Sequence, residues 1–373
     1  MKNVKGKVRI GFKTKNLVKE LRPGEIAVIK HKNLDEVGAD SLVNTRVKAV
    51  INLDNTMTGE FPNRGPRVLL ENETPFIDLV DENLTEKIND GDLVQIKGNN
   101  VFDSSKQKIG TGRVFNWNKH VELTKQAEKK MSKNLLNFFE NTISYADYEK
   151  DMFVDKLDLS EVKTKFEGKE CLIVTRGSNF KNDLRALIDY INIKKPLLIG
   201  VDGGADALMM FGLKPDVVLG DMDSVSDETL HKAGEILIHA YTNGRAPGES
   251  RLQEKSLDCT KITAPGTSED LALLVAHQLK AKKILALGSH TNIIDFFEKD
   301  RKGMSSTILT RLKVGDRLID LKGVSNIFSD IVELKSLAIV LIMALLPLTF
   351  LIIHSDKLQI IFRLINLRLI QGY

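Results

Sequence analysis

Residues 202–225 read DGGADALMMFGLKPDVVLGDMDSV, and the organisation of the second half of the chain follows from this stretch. It links two apolar runs, Pro196–Val201 and Val217–Leu219, each of which ends in glycine and aspartate. Continuous apolar runs of that length suit strands buried on both faces, and hence a largely parallel sheet in an α/β layer. The pattern extends outward in both directions. Cys171–Val174 precedes it, Ile236–Ile238 and Lys283–Leu287 follow, and each run leads into a helical stretch. Ligands of such sheets sit beyond the carboxyl ends of the strands, so the chemistry is expected there.

Three of those ends carry a signal. Asp202-Gly203-Gly204-Ala205-Asp206 combines two glycines, which let a phosphate approach the backbone, with the start of a helix whose N–H groups face the same space. Gly220-Asp221-Met222-Asp223-Ser224 places carboxylates at alternate positions. Such a loop can hold a hard cation, and magnesium often takes one or two carboxylates together with substrate phosphates. Ala264–Asp270 opens a helix near Ser268, where a capping role competes with a binding role. Arg245, in the loop Tyr241–Gly248, can meet a phosphate bidentately, and Lys302–Thr307 can offer hydroxyls and N–H groups to an anion; both also read as ordinary loops. His290 reads either as a structural hydrogen-bonder or as a base.

The 202–225 stretch resembles the signature of thiamin pyrophosphokinase, which places Asp-Gly-Gly and Gly-Asp-x-Asp-Ser at this separation. The resemblance implies magnesium and ATP as ligands and pyrophosphoryl transfer to a hydroxyl. It assigns metal binding to Asp202, Asp221 and Asp223 and the catalytic role to Asp221 and Asp223. Gly203, Gly204, Asp206, Gly220, Ser224, Arg245 and Asp270 join Asp202 as expected nucleotide-binding residues. The sequence also departs from that family. Its Lys-Asp-x-Thr-Asp stretch has become Gly266-Thr267-Ser268-Glu269-Asp270, and its Gly-Gly-Arg-x-Asp-His stretch corresponds to Gly288–Asp295 without the arginine or the paired histidine. Only about twenty residues, Leu312–Ile331, stand where the family has a β-rich thiamine-holding domain. Two readings follow, a scaffold or regulator with a nucleotide site and an active pyrophosphokinase.

Towards the N-terminus the style changes. Val8–Phe12, Glu25–Ile29, Val47–Ile51 and Asp92–Ile96 read as short strands, with helices near Asp35–Asn44 and Pro66–Asn72. The layout resembles the swivelling domain of phosphoenolpyruvate-utilising enzymes, but Thr58–Pro66 lacks that family's phosphohistidine. This loop is either a plain turn or a binding loop. Residues 119–150 predict a long connector helix with an apolar stripe of Ala127, Met131, Leu135, Phe139, Ile143 and Ala146.

Composition bounds the function classes. With 54 Lys+Arg against 50 Asp+Glu, the net charge of +4 is too small for a dedicated nucleic-acid binder. Two cysteines make no disulfide framework and no zinc site. Mean hydropathy is −0.14, yet residues 336–353 contain no charge and match a hydrocarbon core in length. They predict a transmembrane helix that leaves the bulk of the chain cytoplasmic, followed by an amphipathic tail at 354–373.

The longer motifs LRPGEIAVI, GEFPNRGP, HAYTNGRAPG, APGTSEDLALL and GMSSTILTRLKVG, with the apolar segment, are similar to the SteA-type cytokinetic ring proteins of Gram-positive bacteria. That resemblance implies a role in cell division at the cell membrane, a small SteB-like membrane partner, the division machinery around it, and possible homo-oligomers. The expected architecture is a β-rich, swivelling-like domain (1–118), a helical connector (119–165), a thiamin pyrophosphokinase-like α/β domain (166–333), the membrane helix and the tail.

Overall fold

A computed structural model describes residues 3–79, 84–328 and 334–360, together with Leu364 and Leu367. The N-terminal strands are β1 (Val4–Ile10), β2 (Ile26–Ile29), β3 (Ala49–Asn52), β4 (Phe76–Leu79), β5 (Leu93–Lys97), β6 (Asn100–Phe102) and β7 (Lys108–Val114). They close into a barrel in the order β1-β2-β3-β4-β7-β6-β5. β1 to β4 run parallel, and the other pairings are antiparallel. The residues explain the difference. β2 and β3, Ile-Ala-Val-Ile and Ala-Val-Ile-Asn, are buried throughout, whereas β5 alternates between buried and open positions. Inward-facing Val8, Val28, Ile51, Ile77 and Ile96 fill the barrel. Ala27, Ile29 and Val50 pack outward on the crossover helices Glu36–Asn44 and Gly65–Glu71 through Leu42 and Leu69. Asp35 caps the first of these helices by accepting from the Gly38 N–H at 2.5 Å.

The helix Trp117–Val154 follows the barrel. Its buried line is Leu123, Ala127, Phe138 and Thr142, whereas Phe139 and Ile143 of the predicted stripe are exposed. The cause is an aromatic contact: Phe138 packs against Phe296 and Phe297 at 5.8 and 5.4 Å between ring centroids.

The second sheet comprises β8 (Glu170–Val174), β9 (Leu197–Val201), β10 (Val217–Gly220), β11 (Glu235–Ala240), β12 (Thr260–Thr263), β13 (Lys283–Leu287) and β14 (Leu318–Asp320). Its order is β12-β11-β10-β9-β8-β13-β14 and every neighbouring pair is parallel. The chain winds outward from β8 to β12 and then returns to the other side of β8, so the order reverses between β8 and β13. A crevice opens at such a point, above the carboxyl ends. Leu312–Ile331, where the kinase family has its β-rich domain, contributes the end of the helix Ser305–Val314, the edge strand β14 and the helix Val324–Phe328.

Residues 323–373 form a unit of their own. The expectation of a transmembrane helix at 336–353, and with it a single-pass location in the cell membrane, is corrected here. Among the described residues no helix is long and apolar enough to cross a membrane. The helix runs Leu334–His354, with Lys335 in its first turn, Pro347 inside it and His354 at its end. Pro347 has no N–H to give to the helical ladder and divides the uncharged stretch. Most of the expected amphipathic tail lies outside the described residues.

Candidate functional site

A cleft of about 620 Å³ lies over the carboxyl ends of the second sheet, with the barrel forming its opposite wall. Both walls belong to the same compact unit, residues 1–322. The sheet side presents Arg176 after β8, Asp202 and Gly203 after β9, Asp221 and Ser224 after β10, and His290 after β13. The barrel side presents Lys13 and Lys15 after β1 and Lys30 and His31 after β2, and Lys299 and Arg301 line the cleft from beyond the helix Ile293–Glu298.

Asp202 is the centre of the sheet wall. Its backbone has φ 48° and ψ −125°, a conformation that costs a non-glycine residue about 1–3 kcal/mol and persists only where the surroundings enforce it. The enforcement is visible. The Asp221 N–H donates to Asp202 Oδ1 at 2.9 Å, joining the ends of β9 and β10. Gly220 stands beside that carboxylate with φ 149°, and a Cβ there would lie 1.9 Å from Asp202 Oδ1. Burial, and after it the charge of Asp221, hold the Asp202 carboxyl above the usual carboxylate range. Asp223 lies further out, its N–H donating to Asp221 Oδ1 at 2.9 Å and its carboxylate 3.6 Å from Lys15 Nζ.

The donor set suits magnesium in part. Asp202 and Asp221 form a pair of carboxylates whose mutual repulsion a divalent cation would relieve, and magnesium needs no more than one or two protein carboxylates when phosphates and waters complete its shell. Among the described residues no three His, Cys, Asp or Glu side chains converge as a ready-made cage, so the three-aspartate set is not assembled. Bound there, the ion would neutralise phosphate charge.

Arg176 is a site residue that the sequence reading missed. A Cβ on Gly203 would lie 1.8 Å from its Nη2, so the guanidinium rests on the bare backbone where the helix Gly203–Met210 begins. Burial lowers its pKa from the ordinary value, and Asp206 and Asp202 counter that shift. A guanidinium fork beside free helical N–H groups suits a phosphate. The signal was available, because Thr175-Arg176-Gly177 directly follows the apolar run Cys171–Val174. Lys30-His31 likewise follows the apolar strand β2.

The other expected residues have structural contacts of their own. Asp206 accepts from the Ser226 N–H and from the hydroxyls of Ser226 and Thr229, at 3.1, 2.7 and 2.6 Å, and so ties down the start of the next helix. Asp270 is buried in a capping box with Thr267 and also accepts from Ser306 Oγ at 2.8 Å. Gly204 sits under the Val174 carbonyl, where a Cβ would come within 1.9 Å. Arg245 is in an exposed turn away from the cleft lining. His290 donates its N–H to Glu269 Oε2 at 3.3 Å, and its Nδ1 lies 3.3 Å from the same oxygen. Of the 302–307 loop, Thr307 reaches the lining.

Residues 188–295 match the family model described as thiamin pyrophosphokinase, catalytic domain. This part of the chain has a thiamin pyrophosphokinase-like fold, in a family associated with ATP and magnesium; the match covers under a third of the sequence. No curated protein matches the chain. Among solved structures, 3-isopropylmalate dehydratase (leuD) from Methanocaldococcus jannaschii is similar at 15% identity and a TM-score of 0.22, over 35% of this chain and 98% of that one. A likeness at that level carries no argument.

Proposed function

We propose that the chain is a magnesium-dependent nucleotide-binding protein, acting mainly as a scaffold or regulator. The observation that carries this reading is the pairing of Asp202 with Asp221 at adjacent strand ends, beside the Arg176 guanidinium on Gly203. The carboxylates suit the ion, and the guanidinium with the helical N–H groups suits a phosphate. The regulatory role is favoured by Asp270. It is the one aspartate kept from the kinase's Lys-Asp-x-Thr-Asp stretch, and it is committed to capping a helix and accepting from Ser306.

The motifs shared with the SteA-type proteins support a setting in cell division, with a SteB-like partner and self-association. A second reading, ATP-dependent pyrophosphoryl transfer, is favoured by the two carboxylates at the cleft wall, since positioning and charge neutralisation are most of what such transfer requires.

The test is a titration of the full chain with AMP-PNP, with and without magnesium. Binding that needs the ion, and is lost in Asp221→Asn, is expected; affinity indifferent to both would remove the site assignment. Mixing the chain with ATP, magnesium and thiamine then separates the two readings. Steady formation of AMP and thiamine diphosphate would overturn the regulatory role.

A further inference from the structure

We propose that the barrel supplies the second half of this site, and that it takes the phosphate of a second, phosphorylated ligand rather than a cation such as thiamine. The inference rests on the nucleotide reading above and extends it to the opposite wall.

Six cationic side chains line the cleft: Lys13, Lys15, Lys30, Arg176, Lys299 and Arg301. Among the described residues only Lys15 has an acidic partner within ion-pair distance, Asp223 at 3.6 Å. The acids of the same cleft are differently placed. Asp295 is held by Lys322 at 2.5 Å and Arg64 at 3.4 Å. Glu269 faces His290 and Arg311. Asp35 is used as a helix cap. Once Asp202 and Asp221 are assigned to a metal ion, Lys13, Lys30, Lys299 and Arg301 have no acidic partner within ion-pair distance among the described residues, and the remaining cleft acids, Asp35, Glu269 and Asp295, already have partners of their own.

Placement gives this excess a direction. Arg176 is on the sheet wall with the proposed nucleotide, whereas Lys13 and Lys30 follow β1 and β2 on the facing wall. Isolated surface lysines are normally paired or fully hydrated. Here Lys13 and Lys30 line one concavity together with Lys299 and Arg301, and a cleft lined by one sign of charge concentrates ligands of the opposite sign. A magnesium–nucleotide complex engages the sheet wall, and the barrel wall is left for a second anionic group. Thiamine carries a fixed positive charge, which this lining disfavours.

Pyrophosphate serves as the probe, titrated in excess magnesium into the full chain already saturated with AMP-PNP. Binding is expected to persist in the saturated protein and to weaken at least tenfold in the Lys13→Gln, Lys30→Gln double variant. AMP-PNP affinity should change less than threefold in that variant, which also reports that it is folded. Thiamine is expected not to bind the nucleotide complex. The proposal is overturned if AMP-PNP abolishes pyrophosphate binding, if the two lysines make no difference, or if thiamine binds as the second ligand. Failure of AMP-PNP to bind, with pyrophosphate still dependent on Lys13 and Lys30, would remove the nucleotide reading and leave the barrel anion site standing.

Discussion

Arg64 and Asp295 are 231 positions apart in sequence, and Nη1 of the first lies 3.4 Å from Oδ1 of the second. The same nitrogen donates to Ser178 Oγ at 2.9 Å and to Glu36 Oε2 at 3.2 Å, while the Arg64 backbone N–H donates to Glu298 Oε1 at 2.8 Å. Arg64 thus joins the barrel to the second sheet's loops along one edge of the cleft. The loop that carries it is fixed from behind by Asn63, whose Nδ2 donates to the carbonyls of Leu34 and Thr56 at 2.9 Å. The Gly-Pro-Asn-rich stretch that reads in sequence as a turn or a binding loop is a bridge between the two walls.

Replacing Arg64 by alanine is expected to destabilise the unit 1–322 by about 1–2 kcal/mol. Asp295 is nearly fully buried but keeps Lys322, and Arg64 is partly solvated, so the loss stays below that of breaking an isolated buried pair. Urea unfolding of wild type and variant measures it. An unchanged midpoint would mean that the two walls are held together by other contacts.

Glu298 makes this junction sensitive to pH. Burial pushes its carboxyl up from 4.5 to about 7, against the pull of the Arg64 N–H. The folded pKa lies above the unfolded one, so the stability this group contributes is complete below about pH 4.5 and is lost as pH rises through about 7. Glu298→Gln cannot ionise and keeps an oxygen for the Arg64 N–H. It is expected to match wild type near pH 4 and to exceed it by about 3 kcal/mol above pH 7. Stability curves of the two proteins that run parallel across this range would contradict the assignment.

Much of this was legible because the physics is local. Apolar runs such as Val217–Leu219 are strands whichever sheet they join, and the paired glycines after Val201 mark a close backbone approach. What was not legible depended on partners distant in sequence. Asp206 and Asp270 have the residue type and position of ligands, yet each is consumed by hydroxyls and N–H groups that no spacing rule pairs with it. Phe139 follows the helical stripe and is exposed, because Phe296 and Phe297 draw Phe138 inward instead. The barrel's part in the cleft was hidden for the same reason, since Lys13 and Lys30 gain meaning only opposite Arg176.

Gly220 offers a test confined to the sheet wall. Alanine there would bring a Cβ to 1.9 Å from Asp202 Oδ1 at a φ of 149°, so the carboxylate must move or the strand end must shift. A loss of about 3 kcal/mol or more is expected, together with loss of magnesium-dependent nucleotide binding. Gly244 is the control. It also has a positive φ, 78°, but a Cβ there meets nothing within 4 Å, so alanine should cost only about 1 kcal/mol and leave binding intact. Equal effects at the two positions would show that backbone conformation, and not the contact with Asp202, is what Gly220 provides.

Arg176 separates a phosphate-binding role from a packing role. Its guanidinium lies on Gly203 with no direct ion pair among the described residues, and the charges of Asp206 and Asp202 act on it from further off, so Arg176→Ala removes charge from the cleft without breaking a contact pair. Folding stability should change by about 1 kcal/mol at most, whereas affinity for magnesium–AMP-PNP should fall about 10- to 100-fold, the range for losing a charge-assisted, bidentate contact. Arg176→Lys keeps the charge but not the fork, and should recover only part of that affinity. Salt discriminates further: if the guanidinium meets phosphate, wild-type affinity falls more steeply with ionic strength than that of the alanine variant. An alanine variant that binds as wild type does, with the same salt dependence, would take Arg176 out of the site and leave its contact with Gly203 as packing.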